Sequence, residues 1–361
     1  MKAIVCEGLG DACAPLGTGV LRLAELPAPK LAPGSARIQV VSASLNFPDA
    51  LQIKGEYQDK PKLPFIPGSE VSGVVLEVAD GVKHIRVGDK VCAVRQGGAF
   101  AEQVVAPAAA VWKLPDTVPL EDAAAIPIVY GTADVALRHR AQLKAGQTVL
   151  ILGAAGGVGL AALQLALAAG ARAVAAAAGA DKAAFLRQQA DTWAEGAGGA
   201  GRVVVLDTAA LAAEGRALHR AVKEAAPKGV DVVFDPVGGP LLSESLKCVA
   251  WGAQYLVIGF ASGDIPKVPA NLLLVKNTTL HGVFWGSYLA QQPRVIADSM
   301  RHLMAAFGAG RLRVEVYGRY PLDRVTEAFG AILDRRVRGK VLLSIGAPQG
   351  GQQGGQLLSK L

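Results

Sequence analysis

The sequence predicts an α/β protein with a doubly wound parallel sheet and a second, β-rich unit. Three observations predict it. Apolar strand candidates alternate with helical stretches from about residue 128 onward; a glycine-rich turn, Gly153–Gly159, follows the first of them; and residues 1–127 carry short strand candidates divided by turn dipeptides. The 361 residues suffice for two cores, and 51% apolar with 19% charged residues is a globular composition.

In the first region, Ala36–Ser42, Val71–Val78 and Lys90–Val94 are separated by Pro33-Gly34, Pro67-Gly68, Asp80-Gly81 and Gly88-Asp89. The opening MKAIVCEGLG reads as a further strand; it has no apolar core of a secretory leader, so none is expected. In the second region the strand candidates are Thr148–Leu152, Ala173–Ala177, Arg202–Leu206, Val230–Phe234, Gln254–Ile258 and Thr279–Phe284. Between Thr148 and Ala180 only Thr148, Gln164 and Arg172 are polar. Hydropathy alone would make that a membrane span, but the glycine cluster and Arg172 divide it into strand, turn, helix and strand. No membrane span is expected.

Glu195–Gly201 is expected to form an exposed loop. A helix over Arg294–Phe307 and strands at Leu312–Val316 and Lys340–Ser344 complete the folded chain, and the Gly/Gln-rich residues from 346 form a flexible tail. The expected organisation is thus 1–127, 128–285, a return to the first unit over 286–345, and a tail over 346–361. Four cysteines (Cys6, Cys13, Cys92, Cys248) show no C-x-x-C spacing, which excludes a disulfide framework and a thiolate zinc site and fits a reducing compartment. A net charge of +7 suits steering of an anionic ligand.

Function is most legible at the glycine turn. The strand Thr148–Leu152 runs into Gly153-Ala-Ala-Gly156-Gly157-Val-Gly159 and then into an alanine/leucine helix. Backbone N–H groups and the helix dipole at such a junction favour a pyrophosphate. Gly156 and Gly157 allow close approach, Gly159 lets the helix lie on the sheet, and Ala155, Gly156, Gly157 and Val158 are the expected cofactor contacts. The next strand ends Ala175-Ala-Ala-Ala-Gly179-Ala-Asp181-Lys182, without the carboxylate that would hold a ribose 2′-hydroxyl. Gly179 leaves room for a 2′-phosphate and Lys182 supplies a charge, so NADPH is expected over NADH. Asp181 counts against this unless it caps the following helix.

Beyond that turn, a series of segments closely resembles the medium-chain dehydrogenase/reductase superfamily in its zinc-free quinone oxidoreductase (zeta-crystallin-like) branch. They are Asn46-Phe-Pro-Asp49, Gly55-Glu-Tyr57, Phe65-Ile-Pro-Gly-Ser-Glu70-Val-Ser-Gly73, Val87-Gly-Asp89-Lys-Val91, Gly98-Ala-Phe-Ala-Glu102, Tyr130-Gly-Thr-Ala133, Gly153–Gly159, Phe234-Asp-Pro-Val-Gly-Gly239 and Gly339-Lys340. The similarity runs from about residue 1 to 345. It implies a GroES-like catalytic domain built from both chain ends, a Rossmann domain between them, an active site in the cleft, and a homodimer paired through Rossmann sheet edges. It also implies cofactor contacts at Gly259, Phe260, Phe284, Trp285 and Lys340.

Within that superfamily, zinc enzymes place a cysteine near Asn46, a histidine where Ser69 stands and a cysteine near Tyr130. These side chains, and five scattered histidines without an i, i+4 pair, imply no metal. Without a Lewis acid, hydride delivery to a quinone or other conjugated carbonyl is the easier reaction, because delocalisation carries the developing charge. Asn46 is the candidate donor or orienter, Tyr57 a stacking surface or proton donor, and Tyr130 an auxiliary group. Leu51 stands where the family often has a further tyrosine.

The chain ends Ser359-Lys360-Leu361, the form of a peroxisomal import address, so a peroxisomal location and an import receptor are expected partners of the tail. Unchanged import of a fluorescent fusion after removal of these residues would end that expectation. Two other readings stay open. A peroxisomal enoyl-thioester (acyl-CoA) reductase would use the positive charge on its substrate's phosphates. A non-enzymatic RNA-binding member would use residues 294–340, with ten Lys or Arg against five Asp or Glu; no aromatic-interleaved motif accompanies them, and no nucleic-acid partner is expected.

Overall fold

The computed structural model describes residues 1–196 and 203–346. Two sheets organise the chain. A six-stranded, all-parallel sheet has the spatial order Val203–Asp207, Arg172–Ala177, Thr148–Leu152, Val230–Asp235, Val249–Val257, Thr279–Gly282. The sequence order therefore reverses between Thr148–Leu152 and Val230–Asp235, the doubly wound arrangement whose crevice lies beyond the strand C-termini. Strand residues such as Val149, Leu150, Ile151 and Leu152 are all fully buried, because helices cover both faces. That burial is why hydropathy alone misreads the segment. Among the described residues, no helix is long and apolar enough to cross a membrane.

The other sheet has seven strands and is mainly antiparallel. Its path runs Val316–Pro321, Lys340–Ser344, Ser35–Leu45, Glu70–Val78, Lys90–Val94, Val111–Lys113, with Gln103–Pro107 also paired to Ser35–Leu45. Val341 pairs with Leu45 and Ser344 with Ser42, so the C-terminal part of the chain closes the N-terminal unit. A two-stranded ribbon, Lys2–Cys6 with Leu21–Glu25, lies beside it.

Several expectations are corrected here. The strand expected at Leu312–Val316 runs instead over Val316–Pro321. Leu312 is apolar because it plugs the core of the parallel-sheet side, whereas the strand holds an edge where Pro321 lacks no required partner. The last parallel strand stops at Gly282, and Val283-Phe284 turns into the cleft. The helix Ala180–Gly196 includes Glu195 and Gly196, where a loop is expected; the rest of that loop and the tail with Ser359-Lys360-Leu361 lie outside the described residues. Asp181 falls within the first turn of the same helix and is not its cap, but it is exposed and does not line the cleft, so it stands away from a ribose in the cleft. The helix Pro293–Gly308 buries Ile296, Met300, Leu303 and Phe307 in the core of the parallel-sheet side, against the helix Pro127–Asp134. The chain rejoins the antiparallel sheet at Val316.

Candidate active site

A cleft of about 2570 Å³ opens between the two sheets, beyond the C-terminal ends of the parallel strands. Its floor is the glycine turn. Gly156 caps the helix Gly157–Ala168 with no side-chain hydrogen bond, which leaves the helix start without the usual Ser, Thr or Asp acceptor. A Cβ added at Gly159 would lie 2.3 Å from the Gly153 carbonyl oxygen, so only glycine lets helix and turn come this close. At Gly156 the nearest atom would be 3.4 Å away, so the space in front of the turn is open. The other lobe touches the turn directly: Gly339 N donates to Ala155 O at 3.0 Å, and a Cβ on Gly157 would strike Lys340 Cδ at 2.7 Å. This cradle of uncapped helix start and open glycine backbone fits a diphosphate. Ala155, Gly156, Gly157 and Val158 all line the cleft.

Next along the parallel sheet, Ala177 and Ala178 line the cleft, but Gly179 does not. Gly179 adopts φ +101 and donates its N–H to Asp207 Oδ1 at 2.9 Å, so its amide is already satisfied. A Cβ there would meet open space, and the room that the sequence suggests is present without a direct contact. Lys182 lines the cleft half-buried, its ammonium pushed below the usual lysine range by burial and by the Arg335 charge. Arg335 comes from the other lobe, at φ +55, with Nη2 donating to Ala261 O at 3.3 Å. Two cations thus face one end of the cleft, and the sequence flags only one of them. The sole signal for the other is the basic run Arg335-Arg336-Val-Arg338, which reads equally as solvated surface.

Gly259, Phe260 and Phe284 also line the cleft, both phenylalanines partly exposed. Trp285 also borders it but is mainly a wedge: a Cβ on Gly131 would lie 2.7 Å from its indole Nε1. Gly131 is thereby explained by packing.

In the antiparallel lobe, four segments meet in a buried polar cluster. Asn46 precedes the helix Phe47–Lys54, and its Nδ2 donates to Glu70 Oε1 at 2.9 Å. Lys340 Nζ donates to Asn46 Oδ1 at 2.6 Å, Leu45 O at 2.9 Å and Glu70 Oε1 at 3.1 Å. Glu70 Oε2 accepts the Ile128 N–H at 2.9 Å, which ties the cluster to the helix that begins the parallel-sheet side. Glu70 is fully buried and Lys340 is 5% exposed. Lys340 lines the cleft, where the expected cofactor contact would lie; its stem borders the glycine turn while its ammonium has three internal acceptors. Glu70 itself was missed. A lone carboxylate in an apolar strand is the signal that could have found it, since a buried charge requires a cation.

Asp49, 1% exposed, accepts the Asn46 N–H on Oδ2 at 2.7 Å and the Ser69 hydroxyl on Oδ1 at 3.3 Å. Burial pushes its acid up to about 7, with the Asn46 N–H and Lys340 opposing. Tyr57 lines the cleft half-buried, and burial followed by Asp49 and Asp59 pushes its phenol above the usual range. Leu51 lines the cleft as well. Tyr130 does not. It is buried, its hydroxyl donates to Arg313 O, and its ring stands edge-on to Phe307 at 4.8 Å. The helix Pro127–Asp134 turns it into the core, which removes it from the catalytic candidates. Among the described residues, no group of three His, Cys, Asp or Glu could hold a metal ion.

Comparison with known proteins agrees with this geometry. Residues 32–116 match the Alcohol dehydrogenase GroES-like domain family, and residues 157–303 match the Zinc-binding dehydrogenase family. A Quinone oxidoreductase-like protein 2 homolog from Nematostella vectensis is 36% identical over 92% of this chain and 87% of its own. The structure of mycobacterial Rv1454c complexed with NADPH superposes with a TM-score of 0.81 at 32% identity, covering 95% of this chain and 99% of that one. Escherichia coli quinone oxidoreductase complexed with NADPH gives 0.80 at 26% identity, covering 95% and 100%. The chain is an oxidoreductase that belongs to the medium-chain dehydrogenase/reductase superfamily, in its quinone oxidoreductase branch.

Proposed function

We propose that this protein uses NADPH to reduce quinones or other conjugated carbonyl compounds without zinc. The observation that carries the reading is the open glycine turn at the cleft floor, with Lys182 and Arg335 facing the cleft at the end of the adjacent strand Arg172–Ala177. The NADPH-complexed neighbours support it. When bound, the cofactor supplies a hydride from its nicotinamide.

The chain's own residues do the rest. The turn Gly153–Val158 holds the diphosphate with backbone rather than with charge. Lys182 and Arg335 would pair with a 2′-phosphate, which relieves the mutual repulsion that depresses Lys182. Phe260 and Phe284 form an apolar wall that excludes water from the reacting centre. Asn46, fixed at both ends of its amide by Glu70 and Lys340, orients the acceptor side of the cleft.

The expected homodimer has support at the sheet edge. Beside the edge strand Thr279–Gly282, Trp251 is 76% exposed, and the helix Ala270–Lys276 leaves Leu274 81% exposed. We propose that two copies pair there, burying an apolar surface that a monomer would leave wet. Sedimentation at micromolar concentration as a monomer would contradict it.

The test of function is cofactor oxidation with NADPH and NADH against quinones, enones and enoyl thioesters. Turnover of a quinone or enone with NADPH preferred supports the reading. Preference for enoyl thioesters replaces the acceptor class, and failure to bind either nucleotide overturns the reading altogether.

A further inference from the structure

The reduced acceptor must gain a proton as well as a hydride, and the cleft wall holds a device for it. This inference rests on the proposed reduction. We propose that the Ser69 hydroxyl delivers the proton to the acceptor's carbonyl oxygen and that the buried carboxylic acid of Asp49 resupplies Ser69.

The geometry is directional. Asp49 Oδ2 is engaged by the Asn46 N–H at 2.7 Å, which leaves Oδ1 as the oxygen to carry a proton. Oδ1 is the one that lies 3.3 Å from Ser69 Oγ. Both residues border the cleft, but Ser69 is half-buried and Asp49 almost fully covered, so the serine is the more open of the two and carries the path to the acceptor. In the structure the Ser69 hydroxyl donates to Oδ1; once Asp49 is protonated the bond reverses, Oδ1–H donates to Ser69 Oγ, and the serine's own hydrogen is free to point into the cleft.

The charged and titratable groups around Asp49 suit this role. Lys340, from the strand Lys340–Ser344, directs its three donors to Leu45, Asn46 and Glu70 and makes no hydrogen bond to Asp49, although its charge, like the Asn46 N–H and the Ser69 hydroxyl, pulls the acid down against burial. Glu70, from the strand Glu70–Val78, disfavours a second negative charge nearby. Burial is the largest influence and holds Asp49 at about 7, where an acid can give up and regain a proton near neutrality. Tyr57, the other proton-bearing group in this wall, is pushed the opposite way from neutrality, in part by Asp49 itself.

The step balances. The two electrons arrive with the hydride from NADPH, and the acceptor's π electrons move onto its carbonyl oxygen. That oxygen takes the Ser69 Oγ proton as Oγ takes the proton of Asp49 Oδ1. Asp49 is left as a carboxylate and regains a proton from solvent, so each cycle consumes one hydride and one proton.

The experiment pairs steady-state pH profiles with infrared spectroscopy of the cofactor-free protein. The wild type should show a protonated-carboxyl band that disappears as pH rises through about 7, and Asp49→Asn should lack it. Over the same range kcat should fall with rising pH in the wild type. In Asp49→Asn, which keeps an acceptor for the Asn46 N–H, kcat at low pH should drop by about 100-fold and lose that break. Ser69→Ala should lower kcat similarly while retaining the infrared band, and it decides the matter if Asp49→Asn fails to fold. Turnover with an unchanged profile in either variant, or no carboxyl band titrating in the wild type, overturns the inference alone. Absence of any NADPH-driven turnover in the wild type overturns the proposed function with it.

Discussion

The glycine turn and the Asn46–Asp49–Glu70–Lys340 cluster border one cleft and touch at Lys340, but they are built on opposite principles. The turn is backbone: one continuous segment, Gly153–Gly159, in which missing side chains create the site. The cluster is side chains from three segments separated by up to 294 residues, whose charges are stable only in each other's company. A backbone site tolerates no added atom but holds its shape alone. A side-chain site tolerates conservative changes but fails as a unit when one partner leaves.

Removal of a partner should therefore produce the largest effect. Glu70→Ala leaves the Lys340 ammonium buried with only neutral acceptors and frees the Ile128 N–H. A loss of about 3–5 kcal/mol is expected in denaturant unfolding; a loss well under 1 kcal/mol would show that solvent reaches the cluster. In the turn, Gly159→Ala forces a Cβ to 2.3 Å from Gly153 O and should displace the helix start. It should cost about 1–3 kcal/mol and raise the Kd for NADPH more than it lowers kcat.

The two cations sharpen the comparison, because they add side-chain charge to a backbone site. Lys182→Ala and Arg335→Ala should each raise the KM for NADPH by about 10-fold, equivalent to about 1.4 kcal/mol, and leave the KM for NADH nearly unchanged. Equal effects on both nucleotides would place the 2′-phosphate elsewhere. The smallest effect belongs to Tyr130→Phe. It removes a buried hydrogen bond to Arg313 O, so stability should fall by about 1 kcal/mol with kcat unaltered.

These differences also explain what the sequence could and could not disclose. The parallel sheet was legible because burial on both faces writes each strand as an unbroken apolar run; Thr148–Leu152 matches its expected limits, and Arg172–Ala177 and Val230–Asp235 match theirs to within one residue. The glycine turn was legible because its function is local. Val316–Pro321 was not, since an edge strand with Gly318, Arg319 and Pro321 carries no clean alternation. Tyr130 was placed by its position in a motif, but which way a helical side chain points depends on what packs beside it, here Phe307. Glu70 and Arg335 escaped for the same reason: their partners lie far away in the chain. Lys340 is found by its motif and lines the cleft, but its pairing with Glu70 is not legible, because only the folded structure brings that carboxylate near.

The proposed reaction passes hydride from NADPH to the acceptor with no metal taking part. Its most direct test uses protein treated with a strong chelator, shown by elemental analysis to hold far less than one zinc per chain, and NADPH deuterated at the transferable position of nicotinamide C4. Undiminished turnover, with the deuterium recovered on a carbon of a reduced enone, is the predicted result. Activity that vanishes with the metal and returns with added zinc, or product that carries no deuterium, would contradict it.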